Sequence, residues 1–182
     1  FHVTKIGEGT LVLTNANNTA TGDLRVNQGT VILSGSGKTA FATARAAKTG
    51  TLLLDNSVTP VNNRLGGKDV YGHGGLVELR GNDSTAVTES VNLLDVTTSV
   101  PIGSQTILKV TPGSAKTTFV VTTIQSYGGG GPNTTWVFQS PTMANLPGTY
   151  DAANSYTNHP SNLTNGLIRA TNPNLWIASG IG

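Results

Sequence analysis

One short segment recurs four times in the first half of the chain. It reads GTLVLTN at 9–15, GTVILSG at 29–35, GTLLLDN at 50–56 and GLVELRGN at 75–82. The leading glycines stand at positions 9, 29, 50 and 75. Repeat lengths of about 20–25 residues are typical of β-solenoids, in which each repeat forms one coil that stacks on the next. The sequence therefore predicts a β-solenoid of parallel stacked coils.

Alternate positions of the repeated strand are apolar, and side chains two residues apart on a strand lie on the same face. We therefore expect two inward ladders that form the structural core. They consist of Leu11, Leu13, Val31, Leu33, Leu52, Leu54, Val77 and Leu79. The opposite face of the strand carries Val12, Ile32 and Leu53. This outer apolar stripe is either covered by a loop or used as a contact surface.

A glycine precedes each repeated strand. We interpret these residues as corner glycines, which adopt a positive φ where the chain turns from one face of a coil to the next and where a Cβ would clash. They are Gly9, Gly29, Gly50 and Gly75. Their predicted role is geometric and not catalytic.

The composition excludes several classes of structure and partner. The chain has only one Met, a helix former, whereas Gly, which disfavours helices, occurs 23 times among 182 residues. This composition favours an all-β fold. The absence of Cys excludes disulfides and thiolate sites. No apolar run is long enough to predict a membrane span. The 11 basic and nine acidic residues are scattered, so no basic stripe predicts nucleic acid as a partner.

The sequence contains no pattern that predicts an enzyme. Asp55, Glu78 and Arg80 fall on adjacent predicted coils, where they are explained by a solvated charge pair on a sheet surface. His2, His73 and His159 are far apart in the sequence, whereas a metal site needs converging ligands. We therefore predict no catalytic residue, no metal site and no cofactor.

The segment from Thr4 to Gly35, TKIGEGTLVLTNANNTATGDLRVNQGTVILSG, resembles the autotransporter-associated β-strand repeat. The positions that carry the resemblance are Lys5, Gly7, Gly9, Thr10, Leu11, Leu13, Asn17, Gly22, Val26, Asn27, Gly29, Thr30 and Leu33. The stretch at 62–96 is similar to larger repeat-bearing surface proteins of planctomycete-type bacteria. The resemblance covers about the first three quarters of the chain. It implies a right-handed β-solenoid in a secreted or surface-exposed bacterial protein, and it implies no catalytic residue.

The pattern becomes less regular along the chain. We predict a single β domain over 1–182, with regular solenoid coils at 1–83 and irregular strands at 84–139. The region 140–182 is predicted to be a loop rich in Asn, Pro and Ser, followed by terminal strands. The chain begins with Phe1 and shows no signal peptide, which predicts a processed piece of a longer protein.

Two functions from different classes fit these observations. The first is a structural extracellular or cell-surface protein, a solenoid module that stacks end to end with further copies into a fibre, sheath or surface layer. Its assembly ends would be Phe1 and Val3 on one side and Trp176 and Ile177 on the other. The alternative is an adhesin or tail-fibre-like module that binds a cell-surface glycan through exposed aromatic side chains.

Overall fold

All regular elements in the described part of the chain are β-strands. The computed structural model describes residues 1–95, 105–125, 135–139, 163–164, 167–168 and 176–180. The strands are β1 (Val3–Lys5), β2 (Thr10–Leu13), β3 (Asp23–Leu33), β4 (Thr43–Asp55), β5 (Asp69–His73), β6 (Leu76–Arg80), β7 (Val87–Asp95), β8 (Gln105–Thr111), β9 (Thr117–Gln125), β10 (Thr135–Gln139), β11 (Leu163–Thr164), β12 (Leu167–Ile168) and β13 (Trp176–Gly180). The predicted all-β class is confirmed.

The strands stack in parallel to form two continuous faces. The first face contains β1, the start of β3, the start of β4, β5, the end of β7 and the end of β9. The second face contains β2, the end of β3, the end of β4, β6, β8, β10 and β13. Only β11 and β12 pair antiparallel among the described strands. Parallel strands that curl through successive faces confirm the predicted β-solenoid.

The register between strands defines the coils. The column that contains Asp23, Thr43 and Asp69 on the first face marks where successive coils begin, and the same column continues through Leu93 to Thr123. We therefore number the coils as 2–22, 23–42, 43–68, 69–92 and 93–122, with a sixth coil that starts at 123. A third side of the solenoid closes each coil, where Asn18 pairs with Thr39 in the neighbouring coil.

The inward ladders lie where the alternation of the strands places them. Val31, Leu33, Leu52, Leu54, Val77 and Leu79 are fully buried. Leu11 and Leu13 are partly buried against this core, because β2 has a neighbouring strand on only one side among the described residues. The second-face ladder continues into β8 and β10 with buried Leu108 and Phe138.

The corner glycines differ from the prediction in their backbone conformation. Only Gly29 of the four has a positive φ, at 67°, so the predicted positive φ is wrong for Gly9, Gly50 and Gly75. At Gly50 and Gly75 close packing leaves no room for a side chain, because a Cβ would overlap the backbone oxygens of Val26 and Ala47, respectively. Gly9 is free of both constraints, since a Cβ there would have no atom within 4 Å.

The coils lengthen along the chain while their register persists. Leu11, Val31, Leu52 and Val77 occupy one second-face column, and each interval between them is longer than the one before. Leu108 is the next member of this column, and it follows Val77 after an interval longer than the three before it. Most of the loop predicted within 140–182 lies outside the described residues.

Candidate functional site: the first coil and the outer faces

The first coil presents a sheet edge. β1 and β2 both pair with β3, and within the described residues no strand pairs with their other side. Phe1 is 81% exposed, Ile6 70% and Val12 50%. An edge strand with unpaired backbone groups and apolar neighbours is a template for pairing with another strand. The first coil thus leaves an open parallel edge next to exposed apolar side chains.

The residues predicted as assembly ends fall at opposite ends of the stack. Phe1 lies against the end of the first coil, where its carbonyl oxygen accepts a hydrogen bond from the Gly22 amide at 3.1 Å, and Val3 packs against the core. Trp176 and Ile177 belong to β13, where their backbones pair with β10. Since β2 and β13 are the first and last strands of the second face, the strand pairing of this face runs from one predicted assembly end to the other.

The outer apolar stripe changes its exposure from coil to coil. Val12 on β2 is half exposed, Ile32 on β3 is partly buried and Leu53 on β4 is only 7% exposed. The three residues are register partners. The high exposure of Val12 follows from its place on the edge strand, so the stripe leads into the same open edge.

Asp55, Glu78 and Arg80 come together as an ion-pair ladder on the second face. Arg80 Nη2 lies 3.4 Å from Glu78 Oε1, and Arg80 Nη1 lies 3.9 Å from Asp55 Oδ2. The Thr111 hydroxyl donates to Glu78 Oε1 at 2.9 Å. Each acid therefore has a cationic or hydroxyl neighbour. The predicted solvated pair is wrong for Glu78, which is buried at 7% exposure. That the chain is not an enzyme stays a prediction.

A second charged cluster on the first face was missed by the sequence analysis. Asp23 Oδ2 accepts hydrogen bonds from Arg25 Nη2 at 2.8 Å and Arg45 Nη2 at 3.1 Å, and Asp23 Oδ1 accepts one from the Thr43 hydroxyl at 2.8 Å. The hydrogen bond from Arg25 is the main reason that the pKa of Asp23 lies below its usual value. The cluster joins the second coil to the third across the outside of the sheet.

Arg45 extends this cluster to the fourth coil. Its guanidinium carbon lies 5.1 Å from the centre of the Tyr71 ring, which is a cation–π distance. Burial raises the pKa of Tyr71 and lowers that of His73, two residues further along β5. The buried Nε2 of His73 has no hydrogen-bond partner. Within the described residues, no three His, Asp or Glu side chains are grouped to hold a metal ion.

Two buried charged residues were also missed. Arg64, in the third coil, and Glu89, on β7, are both fully buried. The Glu89 carboxylate accepts hydrogen bonds from the backbone amides of Arg64 at 2.7 Å and Leu65 at 3.0 Å. Burial raises the pKa of Glu89 to about 7 against these hydrogen bonds.

The sequence contained a signal for Glu89 but none for Arg64. Glu89 stands between Val87 and Val91, and all three are buried on alternate positions of one strand. A charged residue at an inward position of such an alternation indicates a buried polar contact. Arg64 lies in the irregular segment NNRLGG, where no periodicity gives the direction of a side chain.

Most of the aromatic residues that would favour glycan binding fall outside the described part of the chain. Tyr127, Tyr150 and Tyr156 lie there, whereas Trp176 lies on β13. The glycan-binding alternative therefore stays a prediction. In the described residues, no helix is long and apolar enough to span a membrane.

Comparison with family models gives a match over the first coil and part of the second. Residues 3–33 match the passenger-associated-transport-repeat. This confirms the resemblance to the autotransporter-associated repeat, over β1 to β3. The match ends before 62–96, so the likeness of that stretch to planctomycete-type surface proteins stays a prediction. Curated proteins and solved structures gave no match.

Proposed function

We propose that the chain is a structural solenoid module of a secreted or cell-surface protein, and that copies of it stack end to end into a fibre, sheath or surface layer. The extracellular location is supported by the match of 3–33 to a repeat of autotransporter passengers. The stacking is proposed from the geometry of the coils.

The observation that carries the proposal is the constant register of the coils. Thr10, Thr30 and Thr51 share one column of the second face, and this column continues through β6, β8 and β10 to β13. Each coil therefore offers the next one the same parallel edge. The first coil offers that edge on its open side, with Phe1, Ile6 and Val12 exposed next to it.

Stacking a further coil on this edge has two sources of stabilisation. The unpaired amide and carbonyl groups of β1 and β2 would form a parallel ladder at a strand spacing of about 4.8 Å. Burial of the exposed apolar side chains would contribute roughly 25 cal/mol per Å² of apolar surface removed from water. Both are interactions that the described coils already make with one another.

Negative-stain microscopy and analytical ultracentrifugation of the intact chain test the proposal. We expect filaments or sheets from the wild type, and dispersed particles after proline is introduced at Val3 and Thr4, because proline removes backbone donors from the edge strand. Val58→Ser is the control, since Val58 is 88% exposed and lies away from β1 and β2 in the sequence. A monodisperse wild-type monomer would contradict the proposal, and its binding to a glycan array would support the adhesin alternative.

A further inference from the structure

The interior of the solenoid contains an arginine that no solvent reaches. Arg64 is 0% exposed, and all three guanidinium nitrogens donate hydrogen bonds. Nε donates to Asn56 Oδ1 at 2.8 Å and Nη1 to the Gly37 carbonyl at 2.7 Å. A fully buried guanidinium is costly unless its donors are satisfied, so this site is built around the cation.

The remaining nitrogen completes the ring of oxygens. Nη2 lies within hydrogen-bond distance of the carbonyl oxygens of Gly35 at 3.1 Å, Asp55 at 3.0 Å and Thr59 at 2.8 Å. With Gly37 and Asn56 the guanidinium has five oxygen acceptors, four of them backbone carbonyls. Carbonyl and amide oxygens that converge on one point are the groups that proteins use to hold a cation.

The acceptors come from the second and third coils, and the fourth coil binds the backbone of Arg64. Gly35 and Gly37 belong to the second coil, and Asp55 and Thr59 belong to the third. The Arg64 carbonyl also accepts the Thr39 amide of the second coil at 2.8 Å. Glu89 of the fourth coil accepts the Arg64 amide at 2.7 Å. Arg64 thus ties the third coil to both of its neighbours.

Two acidic side chains influence the guanidinium electrostatically. Burial lowers the pKa of Arg64, whereas the nearby carboxylates of Glu89 and Asp55 raise it. An arginine with carboxylate neighbours keeps its charge because its ordinary pKa is far above neutral. The oxygen cage therefore encloses a cation and not a neutral group.

We propose that this cage is a binding site for a planar cation, which the chain fills with its own guanidinium, and that the filled cage locks the second, third and fourth coils into one cooperative unit. The five acceptors match the fork of a guanidinium and not the point charge of an ammonium. Removal of the side chain leaves a site that a small guanidinium compound in solution fills.

Chemical rescue tests the proposal. Arg64→Ala is expected to lower the melting temperature strongly, because the four carbonyls and Asn56 Oδ1 lose the hydrogen bonds donated by the guanidinium. Millimolar methylguanidinium is expected to raise the melting temperature of this variant with its concentration, as for a ligand that binds only the folded state. Methylammonium at equal ionic strength is expected to have no such effect. The controls are the wild type and Arg80→Ala, which removes a partly exposed arginine of the ion-pair ladder. Methylguanidinium is expected to leave their melting temperatures unchanged.

Hydrogen exchange provides the second readout. In Arg64→Ala, amides at 35–39 and 59–65 are expected to lose protection together and to regain it with methylguanidinium. If Arg64→Ala folds only when methylguanidinium is present, the proposal is supported. Absence of rescue in both readouts, equal rescue by methylammonium, or wild-type stability of Arg64→Met would overturn it.

Discussion

At the scale of single residues, the surroundings of Glu89 displace its pKa far from the ordinary value. It is fully buried at an inward position of β7, and its carboxylate is met by two backbone amides and no solvent. The amides and the charge of Arg64 favour the ionised acid, but burial opposes ionisation more strongly and raises the pKa to about 7. The folded protein therefore binds a proton at Glu89 over a pH range in which the unfolded chain does not.

This difference predicts a pH-dependent stability. The ordinary pKa of the group is 4.5, so its contribution is fully present below pH 4.5 and is lost as the pH rises through about 7. The predicted loss is on the order of 3 kcal/mol. Urea unfolding at a series of pH values measures it.

Glu89→Gln is the matched variant, because glutamine keeps the shape of the side chain and does not titrate. The difference between wild type and variant cancels the opposite contribution of His73, whose pKa is lowered by burial. We expect the wild type to lose stability relative to Glu89→Gln between pH 4.5 and 7. A difference that is constant over this range would show that Glu89 titrates equally in the folded and unfolded states.

At the scale of elements, β3 and β4 show how the chain turns between faces. Each of these strands passes from the first face to the second, and their pairing is interrupted once at this corner, where the register shifts between Val26 and Gln28. The strand alternation was predictable from sequence because it follows from the spacing of apolar residues. The atoms that a Cβ would meet at Gly50 and Gly75 were not predictable, because they depend on how closely the neighbouring coil approaches.

The corner predicts different effects for two glycines of the repeated motif. Gly50→Ala is expected to destabilise the fold by about 1–3 kcal/mol, because the new Cβ overlaps the Val26 carbonyl oxygen. Gly9→Ala is expected to change stability by less than about 1 kcal/mol, since its Cβ has no neighbour within 4 Å and its φ is not positive. Thermal unfolding of both variants provides the comparison. Equal losses would mean that approach of the second coil does not set the requirement.

In the candidate site, the features that follow from strand periodicity were predicted, and the contacts between residues distant in sequence were not. Periodicity predicted the buried ladders and the faces of the coils. The contacts of Asp23 with Thr43 and of Arg64 with Gly37 link residues that are distant in sequence, between strands or loops of neighbouring coils. Such contacts depend on the register and on loop conformation, neither of which a single sequence specifies for irregular segments such as 56–65.

At the scale of the whole molecule, the register is the property that persists. The interval between successive members of the second-face column grows along the chain, from the pair Leu11 and Val31 to the pair Val77 and Leu108. The strands nevertheless remain parallel and aligned, because the additional residues are accommodated outside the shared column. This constancy makes a further coil on the first-coil edge the natural continuation of the stack.

Site-directed disulfide formation tests end-to-end stacking most directly. Thr10 of β2 and Ala178 of β13 occupy the same second-face column. If copies stack in register, Ala178 of one copy lies beside Thr10 of the next, at a strand spacing of about 4.8 Å, which a disulfide bridges. The chain has no Cys of its own, so a pair of introduced cysteines is the only source of cross-links.

The measurement is non-reducing electrophoresis of Thr10→Cys/Ala178→Cys after mild oxidation. Thr10→Cys/Ile177→Cys is the mismatched control, because Ile177 belongs to the adjacent column. The stacking account predicts a ladder of covalent oligomers from the matched pair and far fewer from the control. Monomers alone from the matched pair, or equal ladders from both pairs, would contradict it.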